Sequence, residues 1–161
     1  MKKLAPYKKK RDLKKSKEPA AKVLKTKGKG SFVVHKHKSK RPHFDLRIAI
    51  GGVLKSWAIP KGIPKTKGTK HLAVKVEDHP MAYAKFEGTI PKGHYGAGKV
   101  EIYDKGKYEN LAVGKSGKPL SIKTALKEGK MKLLLQGKKL KGIYVLFRFK
   151  DKNWLIFKSA K

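Results

Sequence analysis

From Ser31 onward the apolar residues of this chain recur at alternate positions in short runs, separated by glycine, proline and lysine-rich turns. A period of two is the signature of a half-buried β-strand. The runs predict strands near 31–36, 43–50, 53–59, 71–77, 98–104, 131–136, 141–149 and 153–158. Gly51–Gly52 separates two of them and predicts a tight hairpin. The segment SIKTALKEGK, Ser121 to Lys130, is the one clear helical candidate. It is about two turns long, with Ser121 as N-cap and Gly129 as its stop. Stretches 61–70 and 111–120 read as polar loops, and there is no internal repeat. About eight short strands with one short helix predict a mainly β fold, a compact closed or nearly closed antiparallel barrel. Residues 1–28 break the pattern. They read as a basic, largely flexible arm with few apolar anchors, ahead of a barrel domain over 29–161.

The predicted strand His43–Ile50, HFDLRIAI, has two unlike faces. His43, Asp45 and Arg47 share one; Phe44, Leu46, Ile48 and Ile50 share the other. An ordinary soluble barrel would turn the apolar row inward. The chemistry of the polar row suggests instead that it lines a crevice while the apolar row packs on a second layer, to which the helix would belong.

Charge changes the picture most. The 161 residues carry 43 Lys+Arg against 11 Asp+Glu, a net charge of +32. Such a chain repels itself unless a polyanion offsets the charge. Nucleic acid is the expected partner, because neutralised phosphates release condensed counterions. A thermophile's Lys-rich surface would bring Glu with it, and Glu is scarce here. There are no cysteines, which excludes disulfides, zinc-thiolate centres and thiol nucleophiles. No run approaches the ~18 apolar residues of a membrane span. The start, MKKLAPYKKKRDLKKSK, lacks the apolar stretch of a secretory signal, so a cytoplasmic location away from membranes is expected.

Two clusters hold candidate chemistry. His37, His43 and Asp45 are two imidazoles and a carboxylate, a set that fills one face of an octahedral metal. His-x-Asp is a weak pattern by itself, and from spacing alone these are either metal ligands or solvated side chains on an outer strand face. Arg47 continues the row, either as a bidentate phosphate ligand or as half of a cross-strand ion pair. The second cluster is VEDHPMAYAKFEGTIPKGHYGAG, Val76 to Gly98. Its Glu77, Asp78, His79 and Tyr83 follow a strand and precede glycine-rich turns, where working side chains often sit. His79 suits either phosphate stabilisation or protonation of a leaving oxygen, and an ordinary capped turn is the alternative. PKGHYGAG reads as a loop that needs positive φ at its glycines.

Together FVVHKHKSKRPHFDLRI, GVLKSWAIPKG, LAVKVEDHPMAYAKFEGTIPKGHYGAGKVEIYDKG, GIYVLFRF and NWLIFK resemble the 3′-phosphoesterase domain of bacterial ligase D, which also occurs as a stand-alone protein. RDLKKSKEP resembles an N-terminal element of the same family, so the likeness covers roughly residues 11–158. The resemblance implies a barrel enzyme dependent on manganese, with cobalt as another candidate metal. Such an enzyme removes a 3′-terminal ribonucleoside and then hydrolyses the remaining 3′-phosphate to a hydroxyl. It further implies DNA or mixed DNA/RNA 3′ ends as substrate, and separate ligase, polymerase and end-binding proteins as partners of a monomer. Carried over by position, His37, His43 and Asp45 match the metal ligands. Arg47, His79 and Tyr83 match residues that engage the scissile phosphate, and Arg11, Asp12, Glu18, Lys61 and Glu77 match supporting positions. Two further candidate substrate-contact positions depart from the pattern. His35 stands where the family has Gln, and His71 stands where it has Arg. His71 lies six residues before Glu77, which puts the two on one strand face.

Two rivals belong to other classes. A non-haem iron oxygenase would pair His43 and Asp45 with His79 or His94. A non-catalytic nucleic-acid binder would use the basic arm and exposed aromatics such as Tyr7, Trp57 and Tyr95.

Overall fold

The alternating pattern becomes nine antiparallel strands in the computed structural model, which describes residues 4–10 and 30–159. They are β1 (Ser31–Lys38), β2 (His43–Ile50), β3 (Val53–Ile59), β4 (Lys70–Pro80), β5 (Gly88–Ile90), β6 (Gly98–Asn110), β7 (Lys130–Gly137), β8 (Lys141–Lys150) and β9 (Asn153–Lys158). The sheet order is β1-β2-β3-β4-β9-β8-β7-β6-β5, and β1 also pairs with β6. That second pairing closes eight strands into a barrel and leaves β5 as an extra strand on the start of β6. The mainly β barrel is the architecture the sequence predicts. β5 was not anticipated, since its GTI is too short for a period of two to register.

Alternation accounts for the core. Phe32 and Val34 on β1, Leu46, Ile48 and Ile50 on β2, and Trp57 and Ile59 on β3 join one buried cluster. Met131, Leu133 and Leu135 on β7, Tyr144 and Leu146 on β8, and Trp154 and Ile156 on β9 complete its walls. Trp57 and Trp154 meet edge to face at 5.4 Å between ring centres. The apolar row of β2 therefore does turn into the barrel, contrary to the expectation of a separate second layer. The facing walls of the same barrel supply that layer, together with Ala125 of α2 (Ile122–Glu128). Each such aliphatic side chain contributes roughly 1.5–3 kcal/mol by leaving water.

Local signals are met where predicted. Gly51 and Gly52 have φ of 63° and 83° between the paired residues Ile50 and Val53, the left-handed pair a two-residue hairpin requires. The Ser121 hydroxyl accepts the Thr124 amide at 3.1 Å, and Gly129 ends α2 in the left-handed conformation.

Two helical pieces escaped the sequence pattern. One is α1 (Ala5–Lys9), with proline in its first turn. The other is the 3-10 helix Met81–Lys85, which follows β4 directly. Leu4, Tyr7 and Tyr83 form a second buried cluster with Ala49, Val53 and Leu54, so these pieces cover the outer wall of β2 and β3. The described part of the arm is thus anchored; Arg11, Asp12 and Glu18 lie outside the described residues. Tyr7 and Trp57 are fully buried rather than exposed, because one anchors α1 and the other fills the barrel. Of the three aromatics proposed for base stacking only Tyr95 is exposed. Among the described residues no helix is long and apolar enough to cross a membrane.

Candidate active site and metal centre

Register builds the first half of the site. β1 and β2 pair so that His37 faces His43 and His35 faces Asp45. The outer face of this pair therefore carries His35, His37, His43, Asp45 and Arg47 side by side. His43 Nε2 lies 3.2 Å from Asp45 Oδ2, His37 Nδ1 lies 3.7 Å from the same oxygen, and the imidazole centres are 4.8 Å apart. One potential ligand atom from each of His37, His43 and Asp45 falls within 4.8 Å of the others.

The remaining ring nitrogens fix the orientation of both imidazoles. His37 donates its Nε2–H to the Gly96 carbonyl at 2.7 Å, and His43 donates its Nδ1–H to the Arg41 carbonyl at 2.9 Å. Each ring thus turns its other nitrogen towards Asp45, the outer-shell arrangement typical of metal-binding histidines. The electrostatics agree. Burial opposes the charged form of His43, yet the hydrogen bond and charge of Asp45 outweigh it and raise the pKa. Burial also opposes ionisation of Asp45, but Arg47 and the two imidazoles hold its carboxyl well below the usual range. A buried carboxylate that draws positive charge onto a neighbouring imidazole marks a spot that favours an added cation. The donor set fits a divalent ion.

Arg47 is locked in place. Its Nε–H donates to His35 Nδ1 at 3.1 Å, Nη2 lies 3.4 Å from Asp45 Oδ2, and Nη1 lies 3.3 Å from His79 Nδ1. The guanidinium also sits 4.8 Å from the centre of the Tyr83 ring. His35 is fully buried and does not line the cavity. Burial, and then the Arg47 charge, lower its pKa to about 3, so it is neutral near pH 7. A neutral ring accepts from Arg47 at Nδ1 and donates from Nε2 to the Phe86 carbonyl at 3.0 Å. His35 therefore orients Arg47.

The second half of the site comes from β4 and depends on a bulge. Leu54 pairs with His79 and Ser56 with Val76, so Lys55 alone opposes both Glu77 and Asp78. The extra residue reverses which side chains point outward. Before the bulge, Ala73 enters the core and Lys75 lies 5.4 Å from the centre of the Trp57 ring. His71 shares their phase and donates Nδ1–H to the Gly62 carbonyl at 2.7 Å. Beyond the bulge, Glu77 and His79 turn outward. The expected common face for His71 and Glu77 is thus lost, because spacing cannot reveal an inserted residue. Lys61 is exposed, and neither it nor His71 lines the cavity.

His37, His43, Asp45, Arg47, Glu77, His79 and Tyr83 line one cavity of about 260 Å³, joined by Tyr95 and Gly96 from the loop before β6. Gly93 and Gly96 in that loop and Gly98 at the start of β6 have φ of 86°, 76° and 133°, which meets the expectation for PKGHYGAG. Sequence reasoning missed two contributors. Tyr7 packs against His79 with ring centres 5.2 Å apart. Lys10 Nζ stands 3.4 Å from both Glu77 Oε1 and the Tyr95 hydroxyl. The signal for the first was present: Leu4 and Tyr7, spaced i and i+3 on either side of Pro6, form a short apolar stripe. For Lys10, one lysine among many, there was none.

Residues 35–148 match the family model of the DNA ligase D 3′-phosphoesterase domain. The chain belongs to this family. It is 40% identical to the multifunctional non-homologous end joining protein LigD of Pseudomonas aeruginosa over 162 residues, which covers 97% of the chain and 18% of the relative. The LigD of Mycolicibacterium smegmatis is 42% identical over 155 residues, covering 95% of the chain and 20% of that protein. For the Mycobacterium tuberculosis LigD the figures are 39% over 153 residues, 94% and 19%. The chain therefore spans about a fifth of the length of these relatives. The phosphoesterase family also separates the site from the oxygenase reading. The third imidazole beside His43 and Asp45 is His37, while His79 lies beside Arg47 and both it and His94 stand outside the ligand group.

Proposed function

We propose that this protein is a divalent-metal-dependent hydrolase that repairs 3′ ends of DNA or mixed DNA/RNA strands. It removes a 3′-terminal ribonucleoside and then converts the 3′-phosphate to a hydroxyl. The observation that carries this reading is the convergence, in one cavity, of a two-histidine, one-carboxylate ligand group with a locked guanidinium and a third imidazole. His37 Nδ1, His43 Nε2 and the Asp45 carboxylate would hold the ion, with manganese the leading candidate and cobalt an alternative. A divalent ion bound there supplies Lewis-acid polarisation of a phosphoryl oxygen.

The chain's own residues supply the rest. Arg47 offers guanidinium N–H groups to the non-bridging oxygens, and its fixed orientation avoids reorganisation as charge builds on phosphorus. His79 donates Nδ1–H to the Glu77 carbonyl at 3.0 Å, which sets its ring towards the cavity beside Arg47. From there it stabilises an equatorial oxygen or protonates the leaving oxygen. Tyr83 backs both Arg47 and His79, its ring centre 4.6 Å from that of His79. The charge of +32 draws the polyanionic strand to the cavity. The relatives' names support a place in non-homologous end joining. Ligase, polymerase and end-binding activities would come from other polypeptides or modules.

The test is a time course on a primer ending in one ribonucleotide, with manganese and after chelation, resolving 3′-phosphate from 3′-hydroxyl products. Metal-dependent appearance of the phosphate and then the hydroxyl supports the reading. Tight binding with no cleavage under any divalent metal would leave a basic nucleic-acid binder instead.

A further inference from the structure

The fold delivers one ammonium, that of Lys10, to the mouth of the cavity. Leu4 and Tyr7 are fully buried and clamp α1 to the outer wall, with Tyr7 against His79 and, at 6.1 Å between ring centres, against Tyr83. The next turn then carries the Lys10 ammonium to two side chains that line the cavity from different elements. One is Glu77 on β4, whose side chain is only 3% exposed; the other is Tyr95 in the loop before β6. The ammonium also sits 4.7 Å from the centre of the Tyr95 ring. Its own side chain is 43% exposed, so it stands at the mouth rather than in the wall.

We propose that Lys10 is a substrate-specificity residue which, positioned by Glu77 and Tyr95, binds the terminal oxygens of a phosphomonoester and favours that dianionic end over a phosphodiester. This rests on the phosphoesterase reading above. A diester in the cavity carries one negative charge, whereas a terminal phosphate carries close to two near pH 7 and an additional anionic oxygen. The ligand group and Arg47 serve the charge that both substrates share. A flexible ammonium at the mouth can leave Glu77 for the stronger anion, and only the monoester presents a third non-esterified oxygen. Glu77 acts here through Lys10, as a positioning residue that keeps the ammonium over the opening. The ammonium is fully protonated near neutrality: burial works against its charge, but Glu77 and Tyr95 outweigh it and raise its pKa.

The experiment measures kcat/KM of the full chain with manganese on two oligonucleotides, one ending in a 3′-phosphate and one in a 3′-ribonucleotide diester. The variants are Lys10→Gln, Lys10→Arg and Glu77→Gln. Lys10→Gln is expected to lower kcat/KM on the monoester by about tenfold, mainly through KM, with less than about threefold change on the diester. Lys10→Arg should restore most of the monoester rate, since it restores the charge. Glu77→Gln should raise the monoester KM in the same sense. An equal loss on both substrates, or no loss on either, overturns the proposal while leaving the wild-type activities as evidence for the phosphoesterase itself. Absence of both activities in the wild-type protein would instead strike the underlying reading.

Discussion

Arg47 is aimed by a histidine that never reaches the cavity: its Nε–H donates at 3.1 Å to Nδ1 of His35, a ring held neutral by burial. The acceptor matters more than the imidazole. Glutamine offers a carbonyl oxygen of similar reach, so His35→Gln should keep kcat/KM within about threefold of the wild type. His35→Leu removes the acceptor and leaves a buried N–H unpaired, at a cost on the order of 1–3 kcal/mol. Its kcat is expected to fall by roughly tenfold or more as Arg47 loses its orientation. Steady-state kinetics on a 3′-phosphate oligonucleotide check both variants. Equal activity in the two would show that Arg47 needs no such partner.

The ligand group makes a separate prediction that can be read without activity. Titrating manganese into the chelated wild-type protein should raise Tm progressively, the gain growing with the logarithm of free metal above Kd, because an ion that binds only the folded state stabilises it by mass action. His43→Ala and His37→Ala should abolish most of that shift and lower turnover by on the order of 10²-fold or more. Calorimetry supplies the stoichiometry, with one ion per chain expected. An unchanged manganese shift in His43→Ala would place the ion elsewhere.

Why half of this site could be read from sequence and half could not follows from the strand period. His43, Asp45 and Arg47 are spaced by two on one strand, so their common face is a consequence of pleating alone. His37 follows once β1 and β2 pair as a hairpin. The barrel is legible for the same reason, since its inward rows are simple alternations. The bulge at Glu77–Asp78 is another matter. It reverses the phase of β4 and sends His71 away from the cavity, and nothing in LAVKVEDHP signals it. The capping layer is equally hidden. Leu4 and Tyr7 are two apolar residues in a lysine-rich segment, and only the hydrophobic wall of Ala49, Val53 and Leu54 gives them a reason to dock.

That docking carries a prediction of its own. Because Leu4 and Tyr7 are fully buried, residues 4–10 should resist trypsin in the native protein without any nucleic acid, despite their lysines. Tyr7→Ala removes the ring that packs on His79 and Tyr83, and large-to-small changes of this kind cost about 3–5 kcal/mol in a full core. A helix this short cannot remain folded unaided. Tyr7→Ala should therefore expose the segment to rapid cleavage at Lys8–Lys10 while the barrel stays intact by circular dichroism. Mass spectrometry of limited digests distinguishes the outcomes, and rapid cleavage of the wild-type segment would argue that α1 is not docked in solution.

Far from the cavity, a single carboxylate holds a turn of the barrel in place. The Asp104 carboxylate on β6 accepts four backbone N–H groups: Lys105 at 2.9 Å, Lys138 at 3.0 Å, Lys139 at 3.0 Å and Leu140 at 2.8 Å. It thereby ties the β7–β8 turn to the neighbouring strand. Burial pushes its pKa up, but these amides outweigh that and leave it lowered. With the folded-state pKa below the unfolded one, the ionised form is favoured by folding. The resulting stability is complete above the ordinary carboxylate pKa of about 3.9 and is lost as pH falls through the lower folded value. Near pH 7, Asp104→Asn should destabilise the barrel by about 2–3 kcal/mol, because an amide accepts at one atom and presents donors to donors. As pH drops below about 4 the difference between wild type and variant should shrink, since only the wild type has the Asp104 charge to lose there. Urea unfolding at pH 7, 5 and 3 measures it. A gap that stays constant across that range would mean the amide cage does not depend on the charge of Asp104.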